Sequence, residues 1–312
     1  MAGCGKLRST MATKTPKPLM PLKGVRVLSL ALNLPGPAAL MRCKQMGAAC
    51  VKLSPPAPTG APAGASGDPM SWYNRDAYAA LHQGVRLVVA DLKTAKGQQA
   101  LHRELAKTDV LLTSFRPSAL KKLGLDWKKL HALYPALSLV AIVGAPGERA
   151  EEPGHDLTYL AENNLVNGLE LPPTLYADMG GSLMASEAVL KAVLLQKIKG
   201  QGHYQEVALS SAAAYLALPR TWGLTQPGAA VGGGHAGYRV YACKDGRVAV
   251  AALEPHFAKA LCAAAGIADA SISSMMSAPT QVQIANFLLG KTRKALDKLA
   301  TERDIPLFTL CK

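Results

Sequence analysis

The first acidic residue of this chain is Asp68; no Asp or Glu precedes it. The same span holds Lys6, Arg8, Lys14, Lys17, Lys23, Arg26, Arg42, Lys44 and Lys52, within a formal net charge of +14. A lobe so one-sided favours a polyanion, either nucleic acid or a phosphorylated small molecule, over mere solubilising charge. Aromatic residues make up only 5% of the chain and the first is Trp72, so no stacking residues interleave the basic ones. Without them, and without a helix-turn-helix, a nucleic-acid partner is not expected. No apolar run is long enough to span a bilayer, and no membrane partner is expected. The first twenty residues lack the apolar core of a secretory signal. They read as a disordered basic tail, 1–20, with Met11 or Met20 as alternative starts.

Cysteines 4, 43, 50, 243, 262 and 311 lack metal-ligand spacing. No metal site is expected, and reduced, buried thiols in a cytoplasmic protein fit best. Also missing is a Gly-x-Gly-x-x-Gly turn: the first strand–helix loop reads Asn33-Leu34-Pro35-Gly36-Pro37. NAD is therefore not supported.

Strand and helix patterns alternate through the first two thirds. Strands are predicted over 24–30, 49–53, 86–91, 110–113, 137–144 and 203–209. Helices are predicted over 38–46, 97–107, 127–133, 183–198 and 210–218, with a turn at 114–118 leading into a helix toward Lys122. This is the rhythm of an α/β fold with a Rossmann-like parallel sheet, assigned to a large domain, 21–225. Beyond it, strands 238–242 and 247–252 flank an Asp245-Gly246 hairpin signal, and 255–266 and 280–303 read as helical. Residues 226–312 form a smaller α+β domain.

The chemistry-bearing stretch runs from 153 to 181. His155 and Asp156 follow Pro153-Gly154, and Asp178 stands before Met179-Gly180-Gly181 and an apolar helical run. An Asp ahead of a helix ordinarily caps it, Asp156 could cap 157–163 in the same way, and a lone histidine is ordinarily a surface residue. Two glycines at a helix start weaken it, however, and what they offer is close approach of another chain or a ligand. An imidazole and a carboxylate facing one cavity would suffice to move a proton on and off carbon.

Several stretches resemble the family III CoA-transferases, the carnitine dehydratase and bile-acid-inducible type that includes α-methylacyl-CoA racemase. They are Leu22-Lys23-Gly24-Val25-Arg26-Val27-Leu28, Pro35-Gly36-Pro37, Met46-Gly47-Ala48 before Val51-Lys52, Ala90-Asp91-Leu92-Lys93, Phe115-Arg116-Pro117, Leu123-Gly124-Leu125 and Gly200-Gln201-Gly202. The resemblance runs from about Leu22 to Leu310. It departs at Ser29, where Asp is common, at Asn33, where Arg is frequent, and at Ser118, where Gly is usual. It also implies a C-terminal return segment that would be missing here.

By that resemblance His155 and Asp178 are the two bases, or Asp178 a nucleophile, with Asp156 beside them. Glu254, in Leu253-Glu254-Pro255, would help position the histidine. The acyl-CoA thioester is the substrate, coenzyme A enters only as part of it, and no permanent cofactor is implied. Arg116, Lys52, Arg42 and Lys44 are the CoA-contact candidates. Backbone groups of Met179, Gly180 and Gly181 would serve an enolate oxygen, and Gly232, Gly233 and Gly234 a mobile cover. Family members form interlocked homodimers. The reading is thus racemase or epimerase of 2-methylacyl-CoA by two-base proton transfer. The alternatives are CoA transfer through Asp178 and an inactive CoA-binding protein.

Overall fold

A computed structural model describes residues 19–311. The expected tail lies outside the described residues except for Leu19 and Met20, as do Cys4 and Lys312. The chain divides into two compact units that meet in sequence at Ala217 and Leu218.

The larger unit is built on six strands: β1 (Arg26–Ser29), β2 (Ala49–Ser54), β3 (Arg86–Val89), β4 (Val110–Thr113), β5 (Ser138–Val143) and β6 (Tyr204–Ala208). All neighbours pair in parallel, in the order β3-β2-β1-β4-β5-β6. This is the doubly wound order, and it reverses direction between β1 and β4. β4 and β5 are apolar along most of their length and buried throughout, as strands covered on both faces must be, and β1 is buried from Val27 to Ser29.

The helices are α1 (Pro35–Gln45), α2 (Met70–Tyr73), α3 (Arg75–Leu81), α4 (Ala95–Leu105), α5 (Pro117–Lys122), α6 (Trp127–Leu133), α7 (Asp156–Glu162), α8 (Tyr176–Lys199) and α9 (Leu209–Leu216). Two of them start earlier than the pattern predicts. α1 begins at Pro35, not Ala38, because proline in a first turn gives up only an N–H that the helix would leave unbonded. α8 begins at Tyr176, which puts Gly180 and Gly181 inside it. A Cβ on Gly181 would collide with Leu209 Cδ2, and one on Gly180 would lie 3.2 Å from Leu216 Cδ1 and 3.4 Å from Ala212 Cβ. The two glycines cost about 1 kcal/mol each in propensity. They let α8 lie directly against α9.

One buried ion pair ties the long connection after β2 to the sheet. Lys52 Nζ and Asp68 Oδ2 are 3.0 Å apart, and both side chains are 0% exposed. Lys52 also donates to the Ala31 carbonyl. Asp68 Oδ1 accepts the N–H of Asn33 and of Met70, each at 3.1 Å. Burial holds the lysine's pKa below its usual value, with Asp68 opposing that shift.

The smaller unit carries β7 (Tyr238–Cys243), β8 (Gly246–Ala251) and β9 (Leu307–Leu310), an antiparallel sheet in that order. Its helices are α10 (Leu218–Thr221), α11 (Pro255–Ala265), α12 (Ile272–Met275), α13 (Ala278–Leu289) and α14 (Arg293–Arg303). The single helical stretch expected over 280–303 is two helices, because Thr292 caps a fresh start by accepting the Ala295 N–H. β9 was not expected.

Cys43, Cys50, Cys243 and Cys262 are buried free thiols, and burial pushes Cys43 and Cys50 up to about 12. The expectation of reduced cysteines throughout does not hold at Cys311, which is disulfide-bonded. Among the described residues no helix is long and apolar enough to cross a membrane.

Replacing Asp68 by Ala strands the Lys52 ammonium in a dry interior and is expected to cost about 3–5 kcal/mol. The urea midpoint reads this. A Lys52→Met, Asp68→Leu double variant, with no charge left to solvate, is expected to recover much of the loss.

Candidate active site

A cavity of about 570 Å³ opens at the C-terminal ends of β1, β4 and β5. This is where the strand order reverses and where open α/β sheets take their ligands. Its base is Leu32–Pro35 after β1, Ser114–Arg116 after β4, and Ile142–Gly144 ending β5. The first of these is fixed from two sides. Leu32 N–H donates to Ser114 Oγ at 3.0 Å, and Asn33 N–H to the Asp68 carboxylate. Asn33 sits at φ +61°, a left-handed conformation that Asn tolerates better than most residues.

His155, Asp156 and Asp178 all line this one cavity. His155 is the N-cap of α7; its backbone N–H donates to Thr158 Oγ1 at 3.0 Å, and the residue is exposed. Asp156, the first residue of α7, is buried, and its Oδ1 accepts the Asp178 N–H at 2.9 Å. One carboxylate thereby joins the starts of α7 and α8. Asp178 occupies the third position of α8 and is half-buried. The helix dipole there favours the ionised form by at most about 2 kcal/mol. Burial, followed by the neighbouring Asp156 charge, works the other way and raises Asp178 from 3.8 to about 7. Desolvation wins, and the carboxyl is part-protonated near neutral pH.

Several residues expected at the site lie elsewhere. Lys52 cannot reach a ligand, because its ammonium is sealed against Asp68 and Ala31. Arg42 and Lys44 lie seven and nine residues along α1 from Pro35, about 10–14 Å at 1.5 Å per residue. Neither lines the cavity, and Arg42 Nε donates to Ser186 Oγ at 3.0 Å. Arg116 does line it. Met179–Gly181 cannot offer free N–H groups: Met179 N–H bonds Leu175 O at 3.0 Å, and the glycines fall in the hydrogen-bonded second turn of α8.

Gly232–Gly234 and Glu254 belong to the smaller unit. There Gly233 takes φ +94°, and a Cβ on Gly232 or Gly234 would strike the carbonyl of Gln226 or Gly228. These glycines fold a tight loop. Glu254 is the exposed N-cap of α11, its side chain making no cap hydrogen bond.

Cavity residues that sequence reasoning missed include Tyr73, Tyr159, Asn33 and Glu152. Tyr159 could have been found: it lies one turn after His155, on the same face of a helix that His155 starts.

The family model for CoA-transferase family III matches residues 22–311. The chain belongs to that family. It is 32% identical over 205 residues to cinnamoyl-CoA:phenyllactate CoA-transferase of Clostridium sporogenes, a match covering 62% of this chain and 50% of that one. It is 30% identical over 276 residues to α-methylacyl-CoA racemase of Mus musculus, covering 83% of this chain and 68% of that one. The match thus spans half the length of the transferase and about two thirds of the racemase. Among solved structures, a hypothetical protein from Mycobacterium tuberculosis superposes with TM-score 0.77 at 23% identity, covering 95% of this chain and 86% of that one. The two-part α/β fold is that of this family.

The folded protein holds the Asp178 proton more tightly than the unfolded chain, whose carboxyl titrates near 3.8. This group therefore favours folding fully below about pH 4, and that contribution is lost as pH rises through about 7. Asp178→Asn is expected to be more stable than the parent at pH 8, with the difference fading by pH 4, in paired denaturant titrations. Asp156→Asn is expected to lower the Asp178 pKa, read by ¹³C-carboxyl NMR.

Proposed function

We propose that this protein acts on acyl-CoA thioesters and epimerises 2-methylacyl groups by moving the α-proton between His155 and Asp178. The observation that carries the reading is an Asp titrating near 7 on the same cavity as a histidine. Two-base inversion needs one group as free base and the opposing one as acid at the same pH. A carboxyl at 3.8 would be almost wholly ionised in neutral solution and a poor acid. Raised to about 7, Asp178 is populated in both its protonated and its ionised form near neutral pH, so it can serve as acid in one direction and as base in the other.

In each direction the base takes the α-proton and the C–H electron pair becomes the enolate. The opposite acid then returns a proton to the other face. Arg116, exposed at the cavity mouth, is the remaining cation suited to CoA phosphate. Exposed apolar residues on α8 (Tyr176, Met179, Leu183) and on the smaller unit's sheet (Tyr238, Val240, Phe308) support a homodimer.

The second reading, CoA transfer with Asp178 as nucleophile, is favoured by the similarity to the Clostridium enzyme. It needs the carboxylate form, which a pKa near 7 depletes. Incubation of a 2-methylacyl-CoA in deuterated water, with no acid acceptor, separates the two. Loss of the α-proton signal is expected, slowed on the order of 10²–10⁴-fold in His155→Ala and in Asp178→Asn. CoA exchange onto a free acid, lost in Asp178→Asn but kept in His155→Ala, would establish the transferase instead. Thermal stabilisation by CoA without any turnover would mark an inactive binder.

A further inference from the structure

We propose that the Tyr159 hydroxyl is the hydrogen-bond donor that receives the thioester oxygen and stabilises it as an enolate forms; this rests on the acyl-CoA chemistry proposed above. Tyr159 lies on α7 and is only 6% exposed, yet it lines the cavity with His155 and Asp178. Its ring is seated between two stretches of bare backbone. A Cβ on Gly154 would come within 2.6 Å of the hydroxyl and of Cε1, and a Cβ on Gly144 would overlap the hydroxyl. Two glycines from separate segments, the end of β5 and the loop before α7, are thus required for one phenol to stand where it does.

The phenol has nothing to bond there. Its hydroxyl has no hydrogen-bond partner among the described residues, and it is not among the occluded polar atoms, so it opens to the cavity. Tyr241, the other buried tyrosine, donates to Ala236 O at 2.6 Å. Buried tyrosine hydroxyls find partners as a rule, and one left open on a cavity is suited to a partner that arrives with the ligand.

The charges nearby fit a donor. Burial, then the Asp178 carboxyl, raises the Tyr159 pKa, while Arg116 opposes the shift, so the phenol keeps its proton. During the reaction the α-proton passes to the base, its electron pair forms the carbon–carbon double bond, and the carbonyl π pair moves onto oxygen. Tyr159 donates a hydrogen bond to that oxygen and retains its own proton throughout. At the start of α8 the N–H groups of Asp178 and Met179 are committed to Asp156 and Leu175.

Tyr159→Phe keeps the ring between the glycines and removes only the oxygen. Its melting temperature is expected to match the parent's, which separates the effect from folding. Bound 1-¹³C-labelled isobutyryl-CoA is expected to show a carbonyl stretch shifted to lower frequency in the parent, with the shift lost in the variant. The α-deuteration kcat is expected to fall on the order of 10²–10³-fold, with KM little changed. An unaltered carbonyl frequency and exchange rate in Tyr159→Phe overturn the assignment, as does a parent protein that does not perturb the carbonyl. Should the parent perturb the carbonyl through Tyr159 but exchange no α-proton, the donor stands and the epimerase reading fails.

Discussion

Lys52 and Asp68 face each other where neither touches water, and the geometry of the cavity depends on that pair. An isolated buried ion pair is a weak source of stability, since desolvation consumes most of the Coulombic gain. Here both partners make further hydrogen bonds. Asp68 accepts the lysine and two backbone N–H groups, and Lys52 reaches a carbonyl just past β1. The pair therefore fixes position more than it adds stability. It holds Asn33 in a left-handed turn and anchors a Pro- and Gly-rich connection that has little regular structure of its own. The wall after β1 is set by residues 21 and 35 positions further along the chain, Lys52 on Ala31 and Asp68 on Asn33.

From that wall the chemistry follows by electrostatics. Two helices begin at the same place, each with a carboxylate in its first turn, and one carboxylate accepts the other's backbone N–H. Burial first, and then the neighbouring Asp156 charge, makes Asp178 hold its proton far above the ordinary carboxylate range. The same burial keeps nearby phenols protonated. A cavity that carries a proton-holding acid, an imidazole and an unengaged phenol is suited to carbon acids whose conjugate bases need an oxygen partner.

The parallel sheet could be read from the chain because buried parallel strands are continuous apolar runs between breakers: Val110–Thr113 matched to the residue, and Arg26–Ser29 and Ala49–Ser54 nearly so. The hairpin after Tyr238 showed itself through its turn. His155 and Asp178 could be singled out by residue type, and the structure brings both to one cavity. What misled was local sequence standing for distant contacts. Lys52 looked like an available cation because nothing near it in sequence names Asp68 as its partner. Gly180 and Gly181 looked like a ligand-binding helix start because Leu209 and Ala212, the residues they make room for, are thirty positions on. Arg42 and Lys44 share a helix with the cavity's edge but lie at its other end. Tyr159 was passed over because an apolar helix face is read first as core.

The seating of Tyr159 between Gly144 and Gly154 also constrains how this lineage can drift. An alanine at Gly144 meets chiefly the Tyr159 hydroxyl, whereas one at Gly154 meets the ring itself, at 2.6 Å from Cε1. The three positions are therefore coupled in order. Substitution must start at the aromatic residue, and once a methyl group has settled opposite it, a return to tyrosine must wait until glycine is restored.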